Sequence, residues 1–354
     1  MKAPPRYIRL TLALRYRYYT TTASSGAERV SRIMTSVNIS NFTNSTFPPG
    51  PQFDYGPAFL GSGIALAIIS PVTIVLNSLL LLTIFRDPFK TFHSPSAVFL
   101  VGLALTDLLT GLVLEPLALT CYFFGYYKHP HWQSMCPEIW QKIGILSIAV
   151  NNSSFLIVLA FTVVQYLAVS WPLKSRVITI QRSVFCIVLI WAYTVLFAML
   201  REIGVRKELV ELLDLFLHST TVLVMMVVFY MLLHRAFSRK CKRGYILRAE
   251  SSMQHDANTE GARRQSKHLD TERRFVRINL LLVLLLLFCA VPNTIVWYIY
   301  LFNENLRNHP KLFLVRIIVD NALWLKFMLD PVVYAWRLPK YRKALKSSMS
   351  MMRK

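Results

Sequence analysis

Seven runs of mostly apolar residues, each long enough to cross a bilayer, recur along the 354-residue chain, at about 58–85, 97–124, 139–170, 183–203, 209–234, 275–302 and 312–336. A helix needs roughly 20 such residues to span the hydrocarbon. The bilayer core offers no water to the backbone, so only helices or a closed barrel can cross it. Barrel strands would be about 10 residues long and would alternate in polarity. These runs therefore predict an all-α integral membrane protein, a seven-transmembrane-helix bundle. A hydrophobic share of 54% agrees, being too high for an ordinary soluble domain of this size.

The net charge of +22 could point to nucleic acid, but its placement does not. The loops 86–96, 171–182 and 235–277, with the tail 337–354, hold 24 lysines and arginines. The loops on the opposite side hold six: Lys128, Arg201, Arg206, Lys207, Arg307 and Lys311. The positive-inside rule puts the first set in the cytoplasm and the N-terminus outside. Anionic lipid headgroups are then the natural partner of the basic excess.

This divides the chain into an outer tail (1–57), a helical bundle (58–336) and a cytoplasmic end (337–354). In the last part, 338–346 reads as a basic amphipathic helix lying on the membrane, an eighth helix. Residues 1–33 are basic and Tyr-rich, without the long apolar core of a signal peptide. From Met34 to Pro57 there is no Lys or Arg, which marks 1–33 as a gene-model extension ahead of a start at Met34. Asn38, Asn41 and Asn44 each begin a glycosylation sequon in the outward-facing tail.

The last apolar run carries Asp320, Lys326 and Asp330. A charge at mid-bilayer depth costs at least ~2.5 kcal/mol unless it is paired or faces a polar cavity. Lys326 and Asp330 are four apart and share one helical face, so they can pair directly. Glu115, in the second run, is equally costly unless used. Of the five cysteines, Cys121 and Cys136 are the two near the outer face, where they can bridge the first outer loop or remain thiols. The eight histidines are dispersed, and no Cys-x-x-Cys pair, phosphate loop or nucleophile elbow is present. Neither an enzyme, a metal site nor a bound cofactor is expected.

Five landmarks fall in order: Asn77 in run 1; Leu103-Ala-Leu-Thr-Asp107 in run 2; Tyr166-Leu-Ala-Val-Ser-Trp-Pro-Leu-Lys174 after run 3; Trp191 in run 4; and Asp330-Pro-Val-Val-Tyr334 in run 7. With these, residues 58–346 resemble the rhodopsin-like (class A) G-protein-coupled receptors. The resemblance implies a plasma-membrane receptor that carries an extracellular ligand's signal to a heterotrimeric G protein by outward movement of helix 6. It assigns the switch and G-protein interface to Gln165, Tyr166, Tyr230, Glu272, Pro292, Pro331 and Tyr334.

Departures from the family pattern matter as much. Val164-Gln165-Tyr166 stands where Asp-Arg-Tyr is usual, so Gln165 can offer Glu272 only a neutral hydrogen bond. Ala290 replaces a common tryptophan, run 5 lacks its usual proline, and no cysteine lies between Cys186 and Cys241. In the family, Asp107, Ser154 and residues of helix 7 surround a sodium ion. Here Lys326 falls among those positions, and the expectation is that its ammonium replaces sodium between Asp107 and Asp330. The Schiff-base lysine of light-sensing relatives would fall at Trp324, about 200° round the helix from Lys326, which sets aside retinal.

The expected ligand pocket lies between the outer halves of helices 2, 3, 6 and 7, with Glu115, Asn151, Trp297, Asp320 and Trp324 as its candidate lining. Two acids there, Glu115 and Asp320, favour an amine or basic peptide. Two other readings follow from the same residues: a decoy or weakly coupling receptor, because of Gln165, and an ion or proton transporter using Asp107, Lys326 and Asp330.

Overall fold

The computed structural model describes residues 54–86, 94–171, 178–253, 259–307 and 309–337; within helices, side chains are described except at 243–275 and 334–337. The outer tail with Asn38, Asn41 and Asn44, and the surface helix expected at 338–346, lie outside the described residues. Among these residues the chain is helical, in seven long elements. They are α1 (Gly56–Phe85), α2 (Pro95–Tyr126), α3 (Trp132–Ser170), α4 (Ile180–Met199), α5 (207–253), α6 (Thr259–Phe302) and α7 (Pro310–Arg337).

Local chemistry starts and stops them. Ser94 caps α2, its side chain accepting from the Ala97 amide (3.3 Å), with Pro95 at the first helical position, where its missing N–H costs nothing. Thr179 caps α4 in the same way through the Arg182 amide. The chain leaves α4 through Gly204, whose φ of +91° a residue with a Cβ adopts only with strain, and α5 begins at Lys207. At its far end, α6 is closed by Arg307, which donates to the Tyr300 and Leu301 carbonyl oxygens (both 3.0 Å).

Six of the seven helices are long and apolar enough to span a membrane on composition alone. The seventh, α7, is not among them because it carries Lys311, Arg316, Asp320, Lys326 and Asp330. It is placed instead by polar contacts with α1. Asn77 Nδ2 donates to the Phe327 carbonyl oxygen (3.1 Å), and Asn321 Nδ2 donates to Ser62 Oγ (2.7 Å). Similar bonds tie α3 to α6 (Thr162 Oγ1 to Asn279 Oδ1, 2.9 Å), α4 to α2 (Trp191 Nε1 to Thr106 Oγ1, 3.2 Å) and α3 to α4 (Ser153 with Thr194, 2.6 Å). Lipid is as apolar as a leucine side chain, so such bonds and close packing hold a bundle of this kind; each contributes about 0.6 kcal/mol on average.

The core runs through Leu80, Phe99, Leu103, Ile157, Phe161, Met226, Leu282 and Leu286. Gly102 allows the closest approach in it. A Cβ there would sit 2.8 Å from Ile187 Cδ1, so α2 and α4 meet across a position with no side chain.

Two helices carry a π-turn segment, Thr110–Leu114 in α2 and Asp214–Thr221 in α5. In α2 the cause is Pro116, just beyond it, which lacks an N–H and crowds the carbonyl four residues back. Helix α5 has no proline there. The Thr220 and Thr221 hydroxyls instead donate to carbonyl oxygens five residues back, on Leu215 (2.9 Å) and Phe216 (2.8 Å). The family's missing proline is thus matched by a widened turn that threonine hydroxyls satisfy. Between the fifth and sixth apolar runs, α5 stays helical to Met253 and α6 is helical from Thr259, so much of the long 235–274 connection is helix.

Candidate functional site

Lys326, near the middle of α7, is fully buried within the bundle. Its Nζ donates to Asp330 Oδ2 at 2.6 Å and to Ser154 Oγ at 2.8 Å, and stands 4.7 Å from the centre of the Phe327 ring. The spacing of four along α7 makes the first contact, and the rotation of α3 supplies the second. Asp107 is a neighbour of both charges but not an ion-pair partner. Its carboxyl group lies within side-chain hydrogen-bonding range of that of Asp330, a contact that needs a proton on one of the two. The lysine is therefore held by Asp330 and Ser154, off centre between the two aspartates.

Glu115 is deeper than an outer-pocket residue should be. It is fully buried just after the α2 π-turn, within electrostatic reach of Asp107, and its carboxylate oxygens lack a partner among the described residues. The Thr73 hydroxyl lies beside it but donates to the Ile69 carbonyl oxygen (2.9 Å).

The other pocket candidates separate in space. At the end of the bundle where α6 finishes and α7 starts, Asp320 accepts from Asn293 Nδ2 (2.8 Å) and faces Arg316 (3.9 Å). Arg316 lies over the Trp297 ring, 4.5 Å from its centre, and Trp297 meets Tyr300 edge-on. Trp324 is buried, 6.5 Å centre to centre from the Tyr122 ring, which also meets Trp140. Asn151 is partly buried on α3. Asp320 and Trp297 are thus joined through Arg316, while Glu115 is buried apart from them on α2.

Sequence reasoning missed a second polar network on the α5 π-turn. Asp214 Oδ1 accepts from Asn152 Nδ2 (2.5 Å) and lies 3.0 Å from His218 Nδ1, while His218 Nε2 meets the Tyr193 hydroxyl at 2.8 Å. The network joins α3, α4 and α5. A signal was available, since Asp214 and His218 are four apart in an apolar run, as Arg316 and Asp320 are in α7.

Near the C-terminal end of α3, Gln165 is buried and its Nε2 donates to Ser96 Oγ (3.2 Å) on α2. Tyr166 packs edge-on against Trp171 and Phe229, and the Tyr230 ring lies 6.4 Å from His234. Pro292 and Pro331 sit inside α6 and α7. The side chains of Glu272 and Tyr334 lie outside those described, so the expected Gln165–Glu272 bond does too. Cys121 and Cys136 are buried thiols lying against each other, one near the end of α2 and one near the start of α3.

Comparison with known proteins follows the same lines. Residues 76–334 match the family model of the 7 transmembrane receptor (rhodopsin family). The human thyrotropin-releasing hormone receptor is 28% identical over 138 residues, 39% of this chain and 33% of that receptor. The human 5-hydroxytryptamine receptor 2C is 26% identical over 243 residues, 65% of this chain and 49% of that receptor. The chain thus spans between a third and a half of the length of these relatives. Squid rhodopsin superposes with a TM-score of 0.71 at 16% identity, covering 87% of this chain and 91% of its own, which shows a shared fold. Members of this family are receptors and not enzymes. The chain is a multi-pass membrane protein and belongs to the rhodopsin family of seven-transmembrane receptors.

Proposed function

We propose that this receptor sits in the plasma membrane with its N-terminus outside and binds an extracellular ligand between the outer halves of α2, α3, α6 and α7. Movement of α6 then carries the signal to a heterotrimeric G protein. The observation that supports it most is the Asp320 carboxylate, ten residues into α7, held by Asn293 of α6 and flanked by Arg316 and Trp297. An acid in that position suits a ligand with a protonated amine. The relatives named for 5-hydroxytryptamine, an amine, and for a releasing hormone are consistent with an amine or peptide.

The test is a panel of amines and short peptides applied to cells expressing the full chain, with second-messenger and G-protein readouts. An agonist whose potency falls at least about tenfold in Asp320→Asn, at equal surface level, supports the reading. An agonist indifferent to that substitution removes Asp320 from the site.

Inside the bundle, Lys326 acts in this reading as a built-in cation in place of sodium. Its ammonium already occupies Asp330 and Ser154, two oxygen sources of the expected ion site. A second reading, a weakly coupling or decoy receptor, rests on Gln165. Buried and bonded to Ser96, it carries no charge with which to hold an acid of α6 or a G protein.

A further inference from the structure

Charges of both signs gather at the end of the bundle where α4 finishes and α5 and α7 start. The Arg316 guanidinium carbon stands 4.5 Å from the centre of the Trp297 ring and 5.2 Å from that of Tyr300. Its Nε is 3.9 Å from Asp320 Oδ2, an ion-pairing distance too long for a hydrogen bond. None of its five N–H donors hydrogen-bonds a described residue, and the side chain is 33% exposed. Asp320 likewise keeps one oxygen clear of the Asn293 amide.

The surroundings repeat this pairing of signs. Arg201 folds from the end of α4 onto α3, its Nη1 lying 3.3 Å from where a Cβ at Gly144 would be. Glu211 on α5 faces both Arg201 and Arg316, with Lys207 at 3.8 Å.

A site for a simple amine needs an acid, and a guanidinium beside that acid would repel the ligand's charge. A guanidinium held by two aromatic rings with its donor edge free is instead arranged to take a carboxylate through two parallel N–H bonds. We propose that Arg316 and Asp320 form a two-pole recognition site for a zwitterionic ligand, either a short peptide or an amino-acid derivative. Arg316 holds the ligand's carboxylate and Asp320 its protonated amine. This rests on the receptor reading above and narrows its ligand class. On binding, the carboxylate replaces the loose 3.9 Å contact with Asp320, while Trp297 and Tyr300 keep the guanidinium in place.

The test uses cells expressing the full chain and three probe sets: short peptides with free C-terminal carboxylates, the same peptides as C-terminal amides, and arylalkylamines. Second-messenger output and thermal stabilisation of the detergent-solubilised receptor are both read. The expected agonists carry an acid, and their amides are weaker by about 10- to 100-fold, the value of hydrogen bonds to a charged group. Arg316→Gln should lower the acid's potency to that of the amide and leave the amide unchanged, with Arg316→Lys in between. Should Arg316→Gln fail to reach the surface, the acid-against-amide ratio on the wild type decides. An agonist without an acid that is indifferent to Arg316→Gln overturns the two-pole site and leaves the receptor reading standing. No response and no stabilisation from any probe counts against both.

Discussion

Lys326 Nζ lies 2.6 Å from Asp330 Oδ2 and 2.8 Å from Ser154 Oγ, so one ammonium joins two turns of α7 to the middle of α3. Both charges are excluded from solvent. The pair must therefore be judged against the cost of leaving either member alone.

Lys326→Ala leaves the Asp330 and Asp107 carboxylates without a cation. Removing one partner of a buried pair costs roughly 3–5 kcal/mol. The single variant should reach the surface poorly and melt early, and Lys326→Met combined with Asp330→Asn should regain much of the loss. Melting curves of the single and double variants measure the coupling. A loss in the double variant equal to the sum of the two single losses would show that the pair is not coupled.

A resident ammonium leaves no room for an ion that needs the same oxygens. Melting temperature and agonist affinity should therefore be the same in sodium chloride and choline chloride at equal ionic strength. If sodium lowers agonist affinity in the wild type and Asp107→Asn abolishes that effect, Lys326 is not acting as the cation.

Gln165 makes a neutral bond to Ser96, worth about 0.5–1.5 kcal/mol, roughly half of a charge-assisted one. Ser96→Ala leaves the buried Gln165 amide without that acceptor and should cost about 1–3 kcal/mol. Gln165→Arg adds a charge able to reach an acid or a G protein. A gain in G-protein output is expected in cells where the wild type is weak, and equal output from both would remove Gln165 from the account of coupling.

His218→Phe keeps the ring but removes both nitrogens, leaving the Asp214 carboxylate with Asn152 and the Tyr193 hydroxyl without its acceptor. A loss of about 1–3 kcal/mol is expected from the unsatisfied groups. Asp214→Asn and His218→Phe together should cost less than the sum of the two, since they act on one network. Thermal denaturation of the four proteins makes the comparison.

Gly102→Val puts a branched Cβ within 2.8 Å of Ile187 Cδ1 and should push α2 from α4. Overpacking of this sort costs about 1–3 kcal/mol, and Ile187→Ala should recover part of it by vacating the space. Surface expression of the single and paired variants is the readout.

Much was legible before any coordinates. Seven apolar runs, their order of landmarks and the i, i+4 spacing of Lys326 and Asp330 follow from bilayer thickness and helix period, both properties of a contiguous stretch of chain. Even α7, too charged to qualify as a span on composition, was recognisable because its charges fall at positions a bundle can satisfy. What spacing could not say is how each helix is turned about its axis and which neighbour it meets. Glu115 was expected in the outer pocket; the widened turn ahead of Pro116 leaves it instead within electrostatic reach of Asp107. Lys326 finds Ser154, 172 residues away, and makes no ion pair with Asp107, whose carboxyl meets that of Asp330 instead. Arg316 gains its aromatic seat only because α6 brings Trp297 and Tyr300 beneath it. Periodicity along one helix determines which residues share a face, but the packing of whole helices decides which faces meet.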